Sequence, residues 1–466
     1  MFKRIVTLDS ILKTIIVNKL NWIAYRKKLQ PLSTFQYKLT LSDRDFYKSL
    51  KNINPAFILE FKKASPSLGI LNDFDPRFVA KIYKKYASAI SILTDEKYFN
   101  GKFEFIPIIR EIAIHQPILC KDFFVDPYQI YLARYYQADA ILLILSILND
   151  HQYIFLKKLA KSFNMDVLTE INNQEELSRA IRLNAKIIGI NNRNLHNFSI
   201  SIKNTFKLAS NIPKQIITIS ESGIKNYHQL RQLKSIVQGF LIGSALMTKK
   251  NLENSVRKII MGHNKICGLT RLKDVKISQN AGAIYAGFIF CKSSPRYIDH
   301  KKAIEISKMV SIKYVGIFCN EEIHTISKIA QKILFYAIQL HGTENQIYIN
   351  KLKKQLPSNV KIWKSIALTK NNMNQKLSFK NVDKYIFDNI YGGSGSPFDW
   401  NLLKCYKLNN IILAGGLNLK NCILASNLGC FGLDFNSGVE NFPGIKNKNK
   451  IISLFRSLRE HKIIIH

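Results

Sequence analysis

Residues 165–171, 185–192 and 216–223 read MDVLTEI, AKIIGINN and IITISESG, and these three stretches decide the fold. Each is an apolar run, rich in β-branched residues, that ends in polar or glycine residues, and segments of helical pattern separate the runs. Such runs are typical of strands buried on both faces, as in a parallel sheet covered by helices. The three stretches therefore predict repeated strand–helix units in an α/β protein.

The same pattern extends in both directions and produces eight apolar runs in each half of the 466-residue chain. An open doubly wound sheet rarely repeats a count of eight, and no GxGxxG follows the first run of either half. Each half has about the length of one (β/α)₈ barrel. We predict two tandem (β/α)₈ TIM barrels, residues 1–256 and 257–466. The runs are 56–63, 89–95, 117–123, 138–145, 165–171, 185–192, 216–223 and 239–246, then 265–270, 285–290, 313–318, 337–342, 360–366, 384–389, 411–417 and 432–438.

The composition is that of a globular protein with a strong positive charge. Hydrophobic residues make up 47% of the chain, which excludes disordered and fibrous classes. The formal net charge is +37, but Lys and Arg are spread along the whole chain. We interpret this charge as a diffuse compositional bias and expect no nucleic-acid partner. A basic nucleic-acid-binding protein is the alternative.

Cysteine spacing and apolar length bear on the compartment. The seven cysteines form no CxxC pair, so neither a disulfide framework nor a structural zinc site is predicted, and a reducing cytoplasm is expected. The longest apolar run, 140–148, is too short to cross a bilayer, so no membrane partner is expected. Residues 1–28 are basic and helical in pattern. We predict a helix that packs on the first domain, with a transit peptide as the alternative.

Charged and amide side chains follow the apolar runs of the first half. Glu60 and Lys62 are two residues apart, so they project to the same side of a strand. In a closed barrel the carboxyl ends of all strands ring one mouth, which is where such barrels keep their chemistry. Lysines and glutamates that meet there can act as general acid and general base. The residues predicted to meet are Glu60, Lys62, Lys121, Glu170, Asn191, Arg193 and Glu221.

Small residues follow the last two runs of the first half. Gly223, Gly243 and Ser244 lie where backbone N–H groups and helix dipoles form the phosphate site common in such barrels. A single glycine is more often only a turn residue. Because these residues follow neighbouring strands, we predict that they bind a phosphate together.

The motifs of the first half resemble, in order, those of indole-3-glycerol-phosphate synthase. That family closes an indole ring on 1-(2-carboxyphenylamino)-1-deoxyribulose 5-phosphate, with loss of CO₂ and water and without a cofactor. The resemblance implies that Lys121 is the general acid, that Glu170 is the base for dehydration and that Lys62 holds the anthranilate carboxylate. It implies that lysines and substrate are positioned by Glu60, Asn191, Arg193, Glu221 and Ser222, and that phosphate is bound by Ser65, Gly223, Gly243 and Ser244. The motifs are ILEFKKASPS (58–67), ILCKDF (118–123), VLTE (167–170), IGINNRNL (188–195), ISESGI (219–224) and FLIGSALM (240–247).

The first run of the second half, KICGLT (265–270), places a cysteine at the catalytic end of a strand. Most free cysteines are small buried hydrophobes, which is one interpretation of Cys267. The thiolate becomes a usable base if local positive potential lowers the pKa of Cys267. Asp388, at the end of the sixth run, could act as the opposing acid if its pKa is raised. His341 ends a different run and forms no protease-type pair with the cysteine.

A second phosphate site is predicted from the last two runs of this half. Gly415 and Gly416 follow the seventh run, and residues 434–438 (DFNSG) end the eighth. The glycine-rich segment 392–395 lacks the Lys-Ser/Thr of a P-loop, so we interpret it as a lid or a turn.

The second half resembles phosphoribosylanthranilate isomerase. That family converts an aminoaldose to an aminoketose by an Amadori rearrangement. The resemblance implies that Asp388 is the acid that opens the ribose ring and that Cys267 is the base that removes the C2 proton. It implies that substrate is bound by Arg296, at the anthranilate carboxylate, and by His341 and Asp434, and that phosphate is bound by Gly415, Gly416, Asn436 and Ser437. The motifs are KICGLTR (265–271), SPRY (294–297), VGIF (315–318), IQLHG (338–342), FDNIYGGSGSPFDW (387–400), LAGGL (413–417) and GLDFNSGVE (432–440).

The isomerase product is the synthase substrate, and the whole chain resembles the fused bacterial enzymes of tryptophan biosynthesis that carry the synthase first. We therefore expect a cytoplasmic monomer that acts on small phosphorylated anthranilate-sugar substrates, with no cofactor and no metal. The alternative within this fold is a chain in which only one of the two barrels is active.

Overall fold

The structure, a computed structural model, describes residues 10–194, 199–369, 377–389 and 397–461. The chain divides into two compact units, Met1–Val256 and Arg257–His466. The segment 392–395, interpreted as a lid or a turn, lies outside the described residues.

The first unit is built on a closed barrel of parallel strands. These strands and a short hairpin are β1 (Ala56–Phe61), β2 (Ala64–Ser65), β3 (Gly69–Ile70), β4 (Ala89–Leu93), β5 (Ile118–Lys121), β6 (Ala140–Ile144), β7 (Asp166–Ile171), β8 (Ile187–Asn191), β9 (Ile217–Glu221) and β10 (Gly239–Ile242). The barrel contains β1 and β4 to β10 in chain order, and it closes where Ala56 of β1 pairs with Gly239 of β10. All residues of β1 are buried, as expected for a strand with core on both faces.

Helices cover this barrel, and the side chains at their first turns explain where they begin. Asp75 accepts hydrogen bonds from the backbone N–H groups of Arg77 and Phe78, and a proline opens the same helix. Asn149 forms a capping box with Gln152. The helices are α1 (Ser10–Leu29), α2 (Phe46–Lys51), α3 (Pro76–Tyr86), α4 (Glu96–Phe99), α5 (Phe105–Arg110), α6 (Pro127–Tyr135), α7 (Asp150–Ser162), α8 (Gln174–Arg182), α9 (Lys203–Ala209), α10 (Tyr227–Leu233), α11 (Ser244–Met247) and α12 (Leu252–Met261), with 3₁₀ turns Leu32–Thr34 and Gln36–Lys38.

The amino-terminal helix predicted from the sequence is α1, and it packs on the first barrel. Its Lys19 is buried, and Nζ of Lys19 lies 2.8 Å from Oδ2 of Asp95 and 2.7 Å from Oδ1 of Asp122. Asp95 follows β4 and Asp122 follows β5, so this ion-pair cluster fixes α1 against the ends of two neighbouring strands. Among the described residues, no helix is long and apolar enough to cross a membrane.

The second unit repeats the architecture of the first. Its barrel strands are β11 (Lys265–Ile266), β12 (Tyr285–Ile289), β13 (Lys313–Phe318), β14 (Phe335–Leu340), β15 (Lys361–Ala367), β16 (Lys384–Asp388), β17 (Ile411–Leu413) and β18 (Gly432–Phe435), followed by the hairpin β19 (Glu440–Phe442) and β20 (Ile445–Lys446). The barrel closes where Lys265 of β11 pairs with Asp434 of β18. Its helices are α13 (Leu272–Ala281), α14 (His300–Met309), α15 (Ile323–Lys332), α16 (Gln346–Gln355), α17 (Cys422–Asn427) and α18 (Lys448–Glu460), with 3₁₀ turns Trp400–Cys405, Leu408–Asn410 and Ser437–Val439.

The predicted fold class, two tandem (β/α)₈ barrels, is confirmed. Every barrel strand overlaps one of the apolar runs quoted from the sequence. The order of pairing brings the carboxyl ends of all strands of a barrel to the same mouth.

Candidate active sites

A lysine surrounded by three carboxylates lies at the mouth of the first barrel. Nζ of Lys121 is 2.7 Å from Oε2 of Glu221, 3.7 Å from Oε2 of Glu60 and 3.9 Å from Oε2 of Glu170. The four side chains come from β5, β9, β1 and β7, so they meet only because the barrel closes. This cluster contains four of the seven residues that the sequence predicted would meet at this mouth.

The carboxylates control the charge of Lys121. Burial disfavours the ammonium, but the negative charges of Glu221, Glu60 and Glu170 outweigh this effect and raise the pKa of Lys121. Lys121 therefore carries its proton at neutral pH and acts as a hydrogen-bond donor or an acid.

Glu60 is held in its ionised form. Burial raises the pKa of this carboxyl, but the positive charges of Lys62 and Lys121 outweigh burial, so the pKa is lowered overall. The main partner is Lys62, whose Nζ lies 2.6 Å from Oε1 of Glu60. The two side chains predicted to share one side of the strand thus form an ion pair.

Glu170 and Glu221 differ from Glu60 because burial dominates. Burial raises the pKa of Glu221 to about 7, against the attraction of Lys121. Burial also raises the pKa of Glu170, although Lys121 and a 2.9 Å hydrogen bond from Nδ2 of Asn191 oppose it. Carboxyl groups with raised pKa values can exchange protons near physiological pH.

A cavity of about 540 Å³ opens at this mouth. Oγ of Ser65 is buried there and has no hydrogen-bond partner among the described residues, so its hydroxyl is available to a ligand. Glu221 does not line the cavity itself, but it contacts Lys121, which does. The predicted residues that line the cavity are Glu60, Lys62, Ser65, Lys121, Glu170, Asn191, Arg193, Ser222, Gly223, Gly243 and Ser244.

Several contributors to this site were missed by the sequence analysis. Leu12 and Ile15 of α1 line the cavity, as does Lys225. Gly189, inside β8, leaves room for Glu221, because a Cβ added at this glycine would overlap Oε1 of Glu221. A glycine within a strand is a recognised signal of such close approach, and it could have been noticed.

The mouth of the second barrel holds a cysteine beside a buried ion pair. Cys267 follows β11, and its backbone N–H donates to the carbonyl of Phe435 at 2.8 Å. Nζ of Lys265, two residues earlier, donates to Oδ2 of Asp434 at 2.6 Å and to Oε1 of Gln339 at 3.0 Å. The structure thus places the predicted residues Cys267 and Asp434 around a lysine to which the sequence analysis assigned no role.

The expected electrostatics of this mouth hold for the acid and fail for the base. Burial raises the pKa of Asp388, as the role of an acid requires. Burial also raises the pKa of Cys267, because it outweighs the positive charges of Lys265 and Lys446. The condition of a lowered thiol pKa is therefore not met, and Cys267 is a protonated thiol at neutral pH.

The predicted substrate residue Arg296 has a buried carboxylate partner. Glu440 accepts from Nη2 of Arg296 at 2.9 Å and from Nζ of Lys446 at 2.7 Å. Lys446 also donates to Oδ1 of the predicted phosphate residue Asn436 at 2.9 Å. Glu440 and Lys446 thus link the two predicted binding regions, and the sequence analysis assigned neither of them a role.

The other predicted residues of the second barrel also lie at the carboxyl ends of its strands. His341 follows β14, and its Nδ1 is 2.9 Å from Oγ of Ser365. Burial lowers the pKa of His341, so the imidazole is neutral. Gly415 and Gly416 follow β17, and Ser437 follows β18.

Two family models match the chain, one for each barrel. The model described as indole-3-glycerol phosphate synthase matches residues 12–259. The model described as N-(5'phosphoribosyl)anthranilate (PRA) isomerase matches residues 264–457.

Relatives match over almost the full length. "Tryptophan biosynthesis protein TrpCF" of Buchnera aphidicola subsp. Schlechtendalia chinensis is 69% identical over 459 residues, 98% of this chain and 100% of the relative. The Salmonella typhi protein of the same description is 51% identical over 455 residues, 97% of this chain and 100% of the relative. A solved phosphoribosyl anthranilate isomerase from Thermotoga maritima is 32% identical, with a TM-score of 0.38, and covers 43% of this chain and 99% of its own.

Proposed function

This chain belongs to the indole-3-glycerol phosphate synthase and N-(5'-phosphoribosyl)anthranilate isomerase families, and on that premise we propose a role for each residue of the two mouths. The carboxyl-terminal barrel isomerises N-(5-phosphoribosyl)anthranilate to 1-(2-carboxyphenylamino)-1-deoxyribulose 5-phosphate. The amino-terminal barrel closes the indole ring of that product with loss of CO₂ and water. Neither a single active barrel nor a nucleic-acid-binding protein is favoured by the relatives.

In the synthase barrel, Lys121 is the general acid. Its ammonium stays protonated beside three carboxylates, so it donates to the ketone oxygen of the substrate and draws electron density from the carbon that the aromatic ring attacks. Lys62, at the cavity wall, holds the anthranilate carboxylate over that carbon. A positioned acid and a fixed aromatic ring together convert the closure into a step within one bound molecule.

Glu170 is the base that assists dehydration. Burial raises the pKa of Glu170, which makes it a stronger base than an exposed carboxylate. Glu60 and Glu221 position the two lysines through contacts of 2.6 Å and 2.7 Å, and Asn191 orients Glu170. Arg193 and Ser222 contact the substrate at the cavity wall.

The phosphate of the synthase substrate lies where small residues line the cavity. The unpartnered hydroxyl of Ser65 donates to a phosphate oxygen. Backbone N–H groups at Gly223, Gly243 and Ser244 supply further donors.

In the isomerase barrel, Asp388 and Cys267 transfer protons. Asp388, whose pKa burial raises, donates a proton to the ring oxygen as the ribose opens. Cys267, as the thiolate, removes the C2 proton of the ring-opened imine to give an enol, and the enol becomes the ketone as its hydroxyl loses a proton and C1 gains one. His341 and Asp434 contact the substrate hydroxyls.

The two ends of the isomerase substrate are held by different groups. Arg296, oriented by Glu440, binds the anthranilate carboxylate. Gly415, Gly416, Asn436 and Ser437 bind the phosphate at the ends of the last two strands.

The observation that carries this assignment is the meeting of Lys121 with Glu60, Glu170 and Glu221 at one barrel mouth, in a unit separate from that of Cys267 and Asp388. The test is an assay of each reaction separately in Lys121→Met and Cys267→Ser proteins. Each substitution should remove one activity and leave the other, and loss of both from one substitution would refute the assignment.

The proposal also includes the oligomeric state, the compartment and the partners of the enzyme. We propose a monomer in the reducing cytoplasm, without nucleic-acid or membrane partners, whose ligands are small phosphorylated anthranilate sugars. All seven cysteines are free, which supports a reducing compartment. Sedimentation of the purified chain tests the oligomeric state.

A further inference from the structure

Lys265 is a fully buried lysine at the start of the isomerase barrel. None of its side-chain surface is exposed, and its Nζ donates to Oδ2 of Asp434 at 2.6 Å and to Oε1 of Gln339 at 3.0 Å. A buried ammonium is costly unless it is paired and hydrogen-bonded, and these two contacts satisfy that requirement. A leucine or a methionine could fill this buried space without a charge, so packing alone does not explain why the residue is a lysine.

The side chains of Lys265 and Cys267 lie together over one small residue. A Cβ added at Gly287 of β12 would stand 2.9 Å from Sγ of Cys267 and 3.0 Å from Cε of Lys265. A glycine at this register position therefore leaves room for the sulfur and the lysine stem side by side. Strand neighbours two residues apart project to the same side, which is why the pair shares this space.

The charges around the sulfur come from three elements. Lys265 acts from the same strand, Asp434 from β18 and Lys446 from β20, and Lys265 exerts the largest of these charge effects on the thiol. Asp388 acts on the same group of charges through Asp434 and Lys265. The ammonium of Lys265 is thus the main feature that favours a negative sulfur in a buried site.

We propose that Lys265 is a positioning residue of the isomerase, whose ammonium fixes Asp434 and stabilises the thiolate form of Cys267 that takes the C2 proton. The inference rests on the proposed role of Cys267 as the base. Lys265 does not itself exchange a proton with the substrate, because none of its side-chain surface is exposed and its Nζ is held by Asp434 and Gln339.

The test is Lys265→Met in the full chain, read out in two ways. The ultraviolet absorbance of thiolate is titrated with pH, and the same titration of a Cys267→Ala partner is subtracted to isolate Cys267. We expect Cys267 to lose its proton at higher pH than in the parent chain. The isomerase kcat/KM should fall by roughly tenfold or more at pH 7 and recover as the pH rises, because the missing charge lowers only the fraction of thiolate.

Lys364→Met is the matched control. Lys364 is also a buried lysine of this barrel, paired with Oε2 of Glu344 at 2.9 Å, and it is not among the groups with the largest effects on the pKa of Cys267. Its loss should leave the Cys267 titration unchanged. If Lys265→Met fails to fold around an unpaired Asp434, the double variant Lys265→Met/Asp434→Asn removes both charges. The titration should still move to higher pH, because Lys265 acts on the thiol more strongly than Asp434 does.

A Cys267 titration that does not move in these variants overturns the inference, and it does so independently of any activity. An isomerase rate that survives Cys267→Ser overturns the proposed base instead, and with it the catalytic half of the inference. A rate loss in Lys265→Met that is equal at every pH would mark a purely structural role and would also overturn it.

Discussion

The first strand of each barrel carries a lysine in a pair of side chains two residues apart, and the two lysines lie at different depths. Glu60 and Lys62 stand two residues apart at the end of β1, and Lys265 and Cys267 stand two apart at β11. Lys62 exposes 11% of its side chain to the cavity, whereas Lys265 exposes none. The comparison shows that a lysine at the first strand of a barrel can hold substrate or tune a neighbour, according to its depth below the mouth.

The mouths also differ in which groups are charged. In the synthase barrel, carboxylates keep Lys121 protonated, and the lysines keep Glu60 ionised. In the isomerase barrel, burial raises the pKa values of Cys267 and Asp388 and so favours the protonated form of each. At these residues, the first mouth stabilises the charged forms of Lys121 and Glu60, whereas the second favours the protonated forms of Cys267 and Asp388.

The largest expected effect is the loss of ring closure in Lys121→Met. Removing a positioned proton donor costs roughly 10²–10⁴-fold in rate, and the isomerase should be nearly unaffected. Steady-state assays of the two reactions measure this. Lys63→Met is a control, because Lys63 pairs with Asp73 and does not line the cavity. Retention of more than half of the synthase rate in Lys121→Met would remove Lys121 from its role.

Cys267→Ser should cripple the isomerase by roughly 10²-fold or more, since a hydroxyl is a much poorer base than a thiol. Cys422→Ser is the matched control, because Cys422 is a buried cysteine of the same barrel that lies on α17. Kinetics on the aminoaldose are measured beside a thermal melt of each protein. If the two serine variants behave alike, Cys267 is a packing residue.

Glu221 should make the synthase barrel less stable as the pH rises. Its pKa is about 7 when folded and 4.5 in the reference state, so between these values only the unfolded chain releases the proton. The free energy of unfolding should fall by about 3 kcal/mol over this window, at 1.36 kcal/mol per unit. Glu221→Gln should abolish this decline, as measured by denaturant unfolding at pH 5 and pH 8.

The effect of Glu60 on stability should depend on pH in the direction opposite to that of Glu221, and Glu60→Gln tests this. The pKa of Glu60 is lowered, so its stabilisation is present above pH 4.5 and is lost as the pH falls through the folded pKa. Its replacement should therefore destabilise the barrel at pH 8. The same response from both glutamine variants would contradict the assigned difference between the two carboxyls.

The smallest expected effect is that of separating the barrels. We propose domains 1–256 and 257–466, but the cut lies inside α12 (Leu252–Met261), so both fragments should include that helix. Each fragment should keep most of its activity and lose some stability. Mixing full-length Lys121→Met and Cys267→Ser proteins should restore the two-step sequence by diffusion of the aminoketose. A folded but inactive fragment would indicate a composite site.

The apolar runs were sufficient to predict both barrels, because strands with core on both faces leave a continuous hydrophobic signal. The predicted synthase residues were also brought together, since each ends a strand and strand ends share one mouth. Local sequence is enough when position along a strand alone decides where a side chain lies.

What the sequence did not disclose depends on depth and on distant pairing. Lys265 reads as one more lysine in a lysine-rich chain, and its partner Asp434 lies 169 residues away. Glu440 ends the last quoted motif and Lys446 lies beyond it, and the role of each depends on contacts with Arg296 and Asn436. The raised pKa of Cys267 depends on burial that outweighs visible positive charge, a balance that no motif records.

The pairing of β1 with β10 also determines how long the first barrel stays open during synthesis on the ribosome. Ala56 cannot find Gly239 until 183 further residues (239 minus 56) have been made. At about 5–20 residues per second, the growing first barrel therefore keeps open strand edges for roughly 10–40 s. Unpaired edges are templates for pairing with other chains. The rate of translation therefore sets the shortest time for which the barrel has unpaired strand edges, whatever its own folding rate.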